Sequence, residues 1–94
     1  AETVEGRGRL YRAAAARGTA AEALRAGARD RLAQRVGAGR TPSAQVLVSL
    51  LATRTTTPSA QVQALLYGPS PADDAALVRL ADDLDALILE VAGS

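Results

Sequence analysis

The chain of 94 residues contains no cysteine, histidine, methionine, phenylalanine or tryptophan. Without cysteine there are no disulfides, thiolate metal sites or thiol nucleophiles, and the redox compartment stays open. Without histidine the commonest general base and metal ligand is missing. The lack of methionine, even at position 1, leads us to expect a piece of a longer chain. All eleven cations are arginine. The only aromatics are Tyr11 and Tyr67. No apolar run approaches the roughly 18 residues of a membrane-spanning helix, and no secretory signal pattern is present.

What remains is rich in alanine, leucine and valine, with 48% of residues apolar. Such side chains fill a core only when helices approach closely, so we expect a single all-α domain over 1–94 of modest stability, about a few kcal/mol. Net charge is +1 but unevenly placed. Residues 1–40 carry nine arginines against Glu2, Glu5, Glu22 and Asp30, a net +5. Residues 41–94 carry Arg54 and Arg79 against six carboxylates, a net −4.

The clearest period lies in 70–91. Leu77, Leu80, Ala81, Leu84, Leu87, Ile88 and Val91 recur at spacings of three and four, an apolar stripe that predicts a long helix lying over the others. Val78 and Leu89 fall on a second flank outside that stripe. Ser70 followed by Pro71, with Asp73 and Asp74 in the first turn, reads as its start.

Upstream, a helix is predicted over 2–17, with Val4, Tyr11 and Ala14 or Ala15 as a weak apolar face and Leu10 on its flank. Gly18 is expected to end it. Thr19 with Glu22 three residues on is a capping-box pattern, which starts a second helix carrying Ala21, Leu24, Ala28, Leu32 and Val36. Arg25 and Arg29 are expected to form one exposed row, Arg31 and Arg35 another. Gly37-Ala-Gly39 stops this helix. The hexapeptide Thr-Pro-Ser-Ala-Gln-Val stands at 41–46 and again at 57–62. Each copy reads as a helix start with threonine as cap and proline first, giving helices over 42–53 (Val46, Leu47, Leu50, Leu51) and 58–67 (Val62, Leu65, Leu66). The total is five helices, with the last packed across the second, third and fourth.

Candidate chemistry is sparse. Asp73-Asp74 and Asp82-Asp83 are adjacent pairs that point roughly 100° apart on a helix, so neither converges on one metal or substrate. Serine and threonine have no histidine, cysteine or lysine to activate them. Gly6-Arg-Gly8 and Gly37-Ala-Gly39 lack the rest of a phosphate-binding loop. No catalytic, cofactor or metal residue is assigned. Residues 48–67 fit a helix-turn-helix template, with Leu51, Ala52, Val62 and Leu65 at its apolar positions. Thr56 replaces the usual glycine of the turn, and the second helix has no cation to neutralise phosphate. The arginines of the first half have three readings: pairing with the acidic half, contact with anionic lipid, or solvation.

Two stretches carry a resemblance: Glu2-Thr-Val-Glu-Gly-Arg-Gly-Arg-Leu-Tyr-Arg12, and Gly68-Pro-Ser-Pro-Ala-Asp-Asp-Ala-Ala-Leu-Val-Arg-Leu-Ala-Asp-Asp-Leu-Asp85. Together they resemble the C-terminal cytoplasmic region of an actinobacterial family of integral membrane proteins. In that family an extracytoplasmic domain of unknown function sits between two transmembrane helices, and a MoxR-type AAA ATPase is commonly encoded alongside. Thr55-Thr56-Thr57 departs from the family pattern. The resemblance implies a location on the cytoplasmic side of the cell membrane, with the first helix following a membrane span, and no catalytic role. We therefore expect a non-catalytic cytoplasmic interaction or assembly domain. Its partners would be the parent transmembrane segment, a second copy in a homodimer, or the MoxR-type ATPase. The contact residues would be Val78, Leu89, Arg25 and Arg29. The alternative is a helix-turn-helix nucleic-acid-binding regulator, against which the acidic second half argues.

Overall fold

The computed structural model describes residues 4–93, with side chains from Gly6 onward. Among these residues there are four helices and no strand: α1 (Val4–Val36), α2 (Ala44–Arg54), α3 (Ser59–Tyr67) and α4 (Asp74–Ala92). The all-α class agrees with the sequence. The number of helices differs from the expected five, because the two helices expected over 2–17 and 19–36 form one. The start expected at Glu2 lies outside the described residues.

Gly18 does not break α1, and the reason is tertiary. A helical glycine costs only about 1 kcal/mol relative to alanine. The flanking residues are held to the rest of the fold. Arg17 donates from Nε to the carbonyl of Pro71 (3.2 Å), from Nη2 to that of Ala72 (3.2 Å) and from Nη1 to Asp74 Oδ1 (3.2 Å). Four residues on, Ala21 is buried. The small Gly18 lets the 68–73 loop pass alongside, where a Cβ would stand 3.5 Å from Ser70 Oγ. Glu22, expected to close a capping box, instead accepts a hydrogen bond from Arg29 Nη2 (2.7 Å).

At the other end the expected stop forms as a glycine cap. Gly37 adopts φ 69° and Gly39 φ 90°, both left-handed. The Gly37 N–H donates to Gln34 (3.3 Å) and the Ala38 N–H to Ala33 (2.9 Å), the paired bonds of a Schellman motif.

Each expected cap shifts toward the C-terminus. Ser43, not Thr41, caps α2 by accepting from the Val46 N–H. Pro58 stands at the α3 cap without a side-chain bond. Asp73, not Ser70, caps α4 by accepting from the Ala76 N–H (2.7 Å).

The helix pair at the centre is α1 and α4. Arg17 meets Asp74 at one end, and Arg35 Nη2 donates to the Ala92 carbonyl (2.8 Å) at the other. Both contacts join residues 57 apart in sequence, so the helices run parallel and in register. Between them Leu24, Gly27 and Arg31 line the seam with Ala81, Leu84 and Ile88. Each end is chemically matched, with Asp73 and Asp74 at the positive start of α4 and Arg35 at its negative end. The core is Ala21, Ala28, Leu32 and Ala33 of α1, Leu47, Val48 and Leu51 of α2, Val62 and Leu66 of α3, and Leu80, Leu84, Leu87 and Val91 of α4. The α4 stripe is therefore the one expected. On α2, Val48 is buried in place of Val46, which is exposed. Helix α4 packs chiefly on α1 and secondarily on α3, not broadly across α2 as expected.

The domain measures 53 × 23 × 18 Å. A 33-residue helix is ~50 Å long, so α1 alone spans the long axis. The body of the bundle covers only its second half. Residues 9–16 are all exposed, with Leu10 61% and Tyr11 78% accessible.

Candidate interaction surface

The predicted contact residues separate into two places. Val78 and Leu89 lie on the outer side of α4 and are 60% and 72% exposed. Asp82 and Asp85, also exposed, fall between them at spacings of four, three and four residues. Helix geometry puts all four within roughly a 60° sector. The result is one ridge with apolar ends and an acidic centre. Among the described residues no ion pair engages either aspartate.

Arg25 and Arg29 do not form the exposed row expected of them. Helix α3 ends at Tyr67, and its last carbonyls need donors from outside the helix. The carbonyl of Leu65 would ordinarily accept from residue 69, but that residue is proline and has no N–H. Arg25 supplies the missing donor. Its Nε bonds Leu65 O (2.9 Å), Nη1 bonds Pro69 O (3.0 Å) and Nη2 reaches Ala64 O (3.4 Å). It is only 7% exposed. Arg29 performs the same service one residue on. Its Nη1 donates to Leu66 O (2.9 Å), and its guanidinium lies 5.2 Å from the centroid of the Tyr67 ring. The geometry is that of a cation over an aromatic face.

These contacts set the electrostatics. Burial pushes the Arg25 guanidinium below its ordinary value, with Glu22 opposing and Arg29 adding to the shift. It remains a cation at any physiological pH. The hydrogen bond from Arg29, and then its charge, hold the Glu22 carboxyl below the usual glutamate value. An open cleft of about 420 Å³ lies beside them, lined also by Asp30, Arg40, Thr41 and Tyr67. Its two central cations are committed to α3, so it is a joint in the fold, not a waiting anion site. Sequence reasoning missed this role. The signal that could have found it is Pro69, which leaves a carbonyl of the preceding helix without a donor.

Helices α2 and α3 do pack as a pair across the 55–58 turn. Thr56 is held by Glu90 of α4, whose Oε1 accepts from the Thr56 N–H (2.5 Å) and hydroxyl (3.2 Å). No observation favours nucleic acid: α3 has no basic residue, and its C-terminal carbonyls face the arginines of α1. No group of three or more acidic side chains able to hold a metal occurs among the described residues. No helix there is long and apolar enough to cross a membrane.

Comparison with known proteins finds similarity to a membrane protein. It is 44% identical over 93 residues to the uncharacterized membrane protein Rv3691 of Mycobacterium tuberculosis. The match covers 99% of this chain and 24% of the relative, so the chain spans about a quarter of that protein's length. No protein-family model matches, and no solved structure does. The similarity is thus to one part of an actinobacterial membrane protein of unknown function.

Proposed function

We propose that this domain is a non-catalytic interaction and assembly module of a membrane protein, acting on the cytoplasmic side. The observation that carries the reading is the α4 ridge. Two large apolar side chains, Val78 and Leu89, stand uncovered on the same outer sector of α4. A helix whose inner stripe already closes the core has no folding use for them. Isolated exposed apolar residues are common; their alignment with Asp82 and Asp85 gives a patterned ridge that suits a partner with apolar and basic groups. The similarity to a membrane protein supports the setting. The resemblance in sequence supports a MoxR-type ATPase or the parent transmembrane segment as that partner.

The test is co-purification of the full-length protein from its native membrane, with Val78→Asp and Leu89→Asp compared with the parent. Loss of captured partners with an unchanged unfolding midpoint of the isolated domain supports the reading. Unchanged capture by both variants removes the α4 ridge from it.

A further inference from the structure

Helices α1 and α4 form a layer with one side covered and the other bare. Residues two apart on a helix point roughly 200° apart, nearly opposite ways. Arg25 and Arg29 bond carbonyls of α3, which turns Ala23 and Gly27 to the opposite side of α1. Leu80 and Val91 are buried in the core shared with α2 and α3, which turns Val78 and Leu89 to the opposite side of α4. These four residues therefore share the bare side. All four are exposed, and Leu24 beside the seam is 39% accessible.

The two halves of this face differ in relief and in sign. The α1 half is a trough of small residues, Ala20, Ala23 and Gly27, all exposed. A Cβ added at Gly27 would meet nothing within 4 Å. At its end stands Arg31, exposed and without an ion pair among the described residues. The α4 half is the ridge of Val78, Asp82, Asp85 and Leu89. Arg31 and Asp85 line one cleft of the seam without bonding each other. The neighbouring charges are accounted for elsewhere. Arg17 holds Asp74, Arg29 holds Glu22, and Arg35 bonds the Ala92 carbonyl. Asp30 lies on the outer flank of α1, roughly 100° round from Arg31, and Arg79, Asp83 and Glu90 turn away from the ridge.

We infer that the bare face is covered by the same face of a second copy, about a two-fold axis parallel to α1 and α4. Each acidic ridge lies in the other copy's trough. Such an axis keeps every residue at its own level, so the register has no freedom. Positions 57 apart stand level in α1 and α4. Val78 thus comes level with Ala21 and meets the exposed Ala20 and Ala23 of the other copy. Asp85 comes level with Ala28, between Gly27 and Arg31. Leu89 comes level with Leu32 and, leaning toward its own N-terminus, lies along the stem of Arg31. Large side chains meet small ones and carboxylate meets guanidinium, the self-complementarity that a two-fold contact needs. An axis across the helices, with the faces fully overlapped, sets α4 on α4 and brings Asp82 and Asp85 against their like. The face is as long as the 19 residues of α4, ~28 Å, and two helices wide, ~20 Å. That covers about 500 Å² on each copy, the lower end of specific interfaces. The inference rests on the reading of α4 as a contact ridge and names a second copy as its occupant.

The test uses the 94-residue chain in sedimentation equilibrium from about 10 μM to about 1 mM, the range of a small reversible interface. A monomer–dimer equilibrium is expected. Gly27→Glu on α1 and Val78→Asp on α4 each raise Kd at least about tenfold. Both positions are exposed, so neither change touches the core. Arg31→Glu and Asp85→Arg each weaken the dimer alone. Mixed in equal amounts, they associate at least about tenfold more tightly than either does with itself, because in the mixed pair reversed residues meet each other and so do the natural ones. A monomer at every concentration, a dimer that Val78→Asp weakens and Gly27→Glu does not, or a mixture no tighter than its components overturns the proposal. Loss of partner capture with Val78→Asp in a chain that stays monomeric overturns the second copy and keeps the ridge as a contact for another protein. A dimer that behaves as expected while capture is unchanged supports the second copy and removes the other partners.

Discussion

Replacing Arg25 with methionine keeps most of the aliphatic stem and removes the guanidinium. The structure sets the size of the loss. Three carbonyls give up a donor, but Ala64 O keeps the Gly68 N–H at 3.0 Å, so the loss falls on two, those of Leu65 and Pro69. A hydrogen bond to a charged donor contributes about 1.5–3 kcal/mol. The adjacent cleft is open, so water recovers part of that for Pro69. The expected cost is about 2–4 kcal/mol, which for a domain of this size lowers the melting temperature by roughly 10–25 °C. Arg25→Lys offers one point donor in place of a planar fork and is expected to recover less than half of the loss. Arg79→Met, on the exposed side of α4, is the control and should stay within about 0.5 kcal/mol. Urea unfolding followed by far-ultraviolet circular dichroism measures all three. Because the guanidinium is buried and always charged, the Arg25→Met deficit should be nearly independent of salt and of pH. A deficit below about 0.5 kcal/mol refutes the claim that Arg25 completes the end of α3.

Four other outcomes follow from local geometry. Gly18→Ala is expected to stabilise by up to about 1 kcal/mol, since the position is helical and its Cβ meets Ser70 Oγ at an ordinary distance; a loss of that size would mean the chain turns at residue 18. Gly27→Ala, with nothing within 4 Å of a Cβ, should gain about 0.5–1 kcal/mol in the same melts. Gly68→Ala drives a Cβ into the Ala64 carbonyl oxygen and should cost about 1–3 kcal/mol, read as an earlier urea midpoint. Glu22 has a lowered value in the folded state, so its contribution is fully present above its ordinary value of 4.5 and fades as pH falls through the lower folded value. Glu22→Gln should therefore be less stable than the parent near neutrality and indistinguishable from it well below that value. A gap that persists unchanged into acid contradicts the Arg29 pairing.

The buried face of helix α4 was legible because one signal governs it, although its cap fell at Asp73 and not at Ser70. Seven apolar residues at helical spacing bury one face, and nothing distant competes. The stop at Gly37 was legible for a similar reason, since a left-handed residue there needs glycine. The region around Gly18 misled because its cues are local and its outcome is not. Gly18, Thr19 and Glu22 spell an end and a start, yet Arg17 is tied to a loop more than fifty residues away. The repeated hexapeptide shows the same limit. Ser43 caps α2 from outside, while its counterpart Ser59 is the first residue of α3. The first copy follows the open 37–43 stretch, and the second a short turn fixed by Glu90 at Thr56. Of the proposed contact residues, Val78 and Leu89 could be placed because a helix has an inside and an outside. Arg25 and Arg29 could not, because their partners are backbone carbonyls, and carbonyls leave no trace in a sequence.

The unbroken passage of α1 through Gly18 has a functional consequence. Had the chain turned there, the segment before it could have folded back along the bundle, and Leu10, Tyr11 and Ala14 would have joined the core. The arginines at 9 and 12 could then have reached the acidic face of α4 in the same molecule, the internal pairing that the charge asymmetry allows. An unbroken α1 forbids both. It holds Leu10 and Tyr11 roughly 10 Å along the helix beyond Arg17, where the bundle ends, and keeps the arginines at 9 and 12 away from the acidic ridge of α4. Among the described residues the ion pair that joins the net +5 and −4 halves is Arg17 with Asp74. Arg25, Arg29 and Arg35 bond backbone carbonyls instead, while Arg9, Arg12, Asp82 and Asp85 face outward. A domain that spent these groups internally would be more compact and would have less to offer a partner.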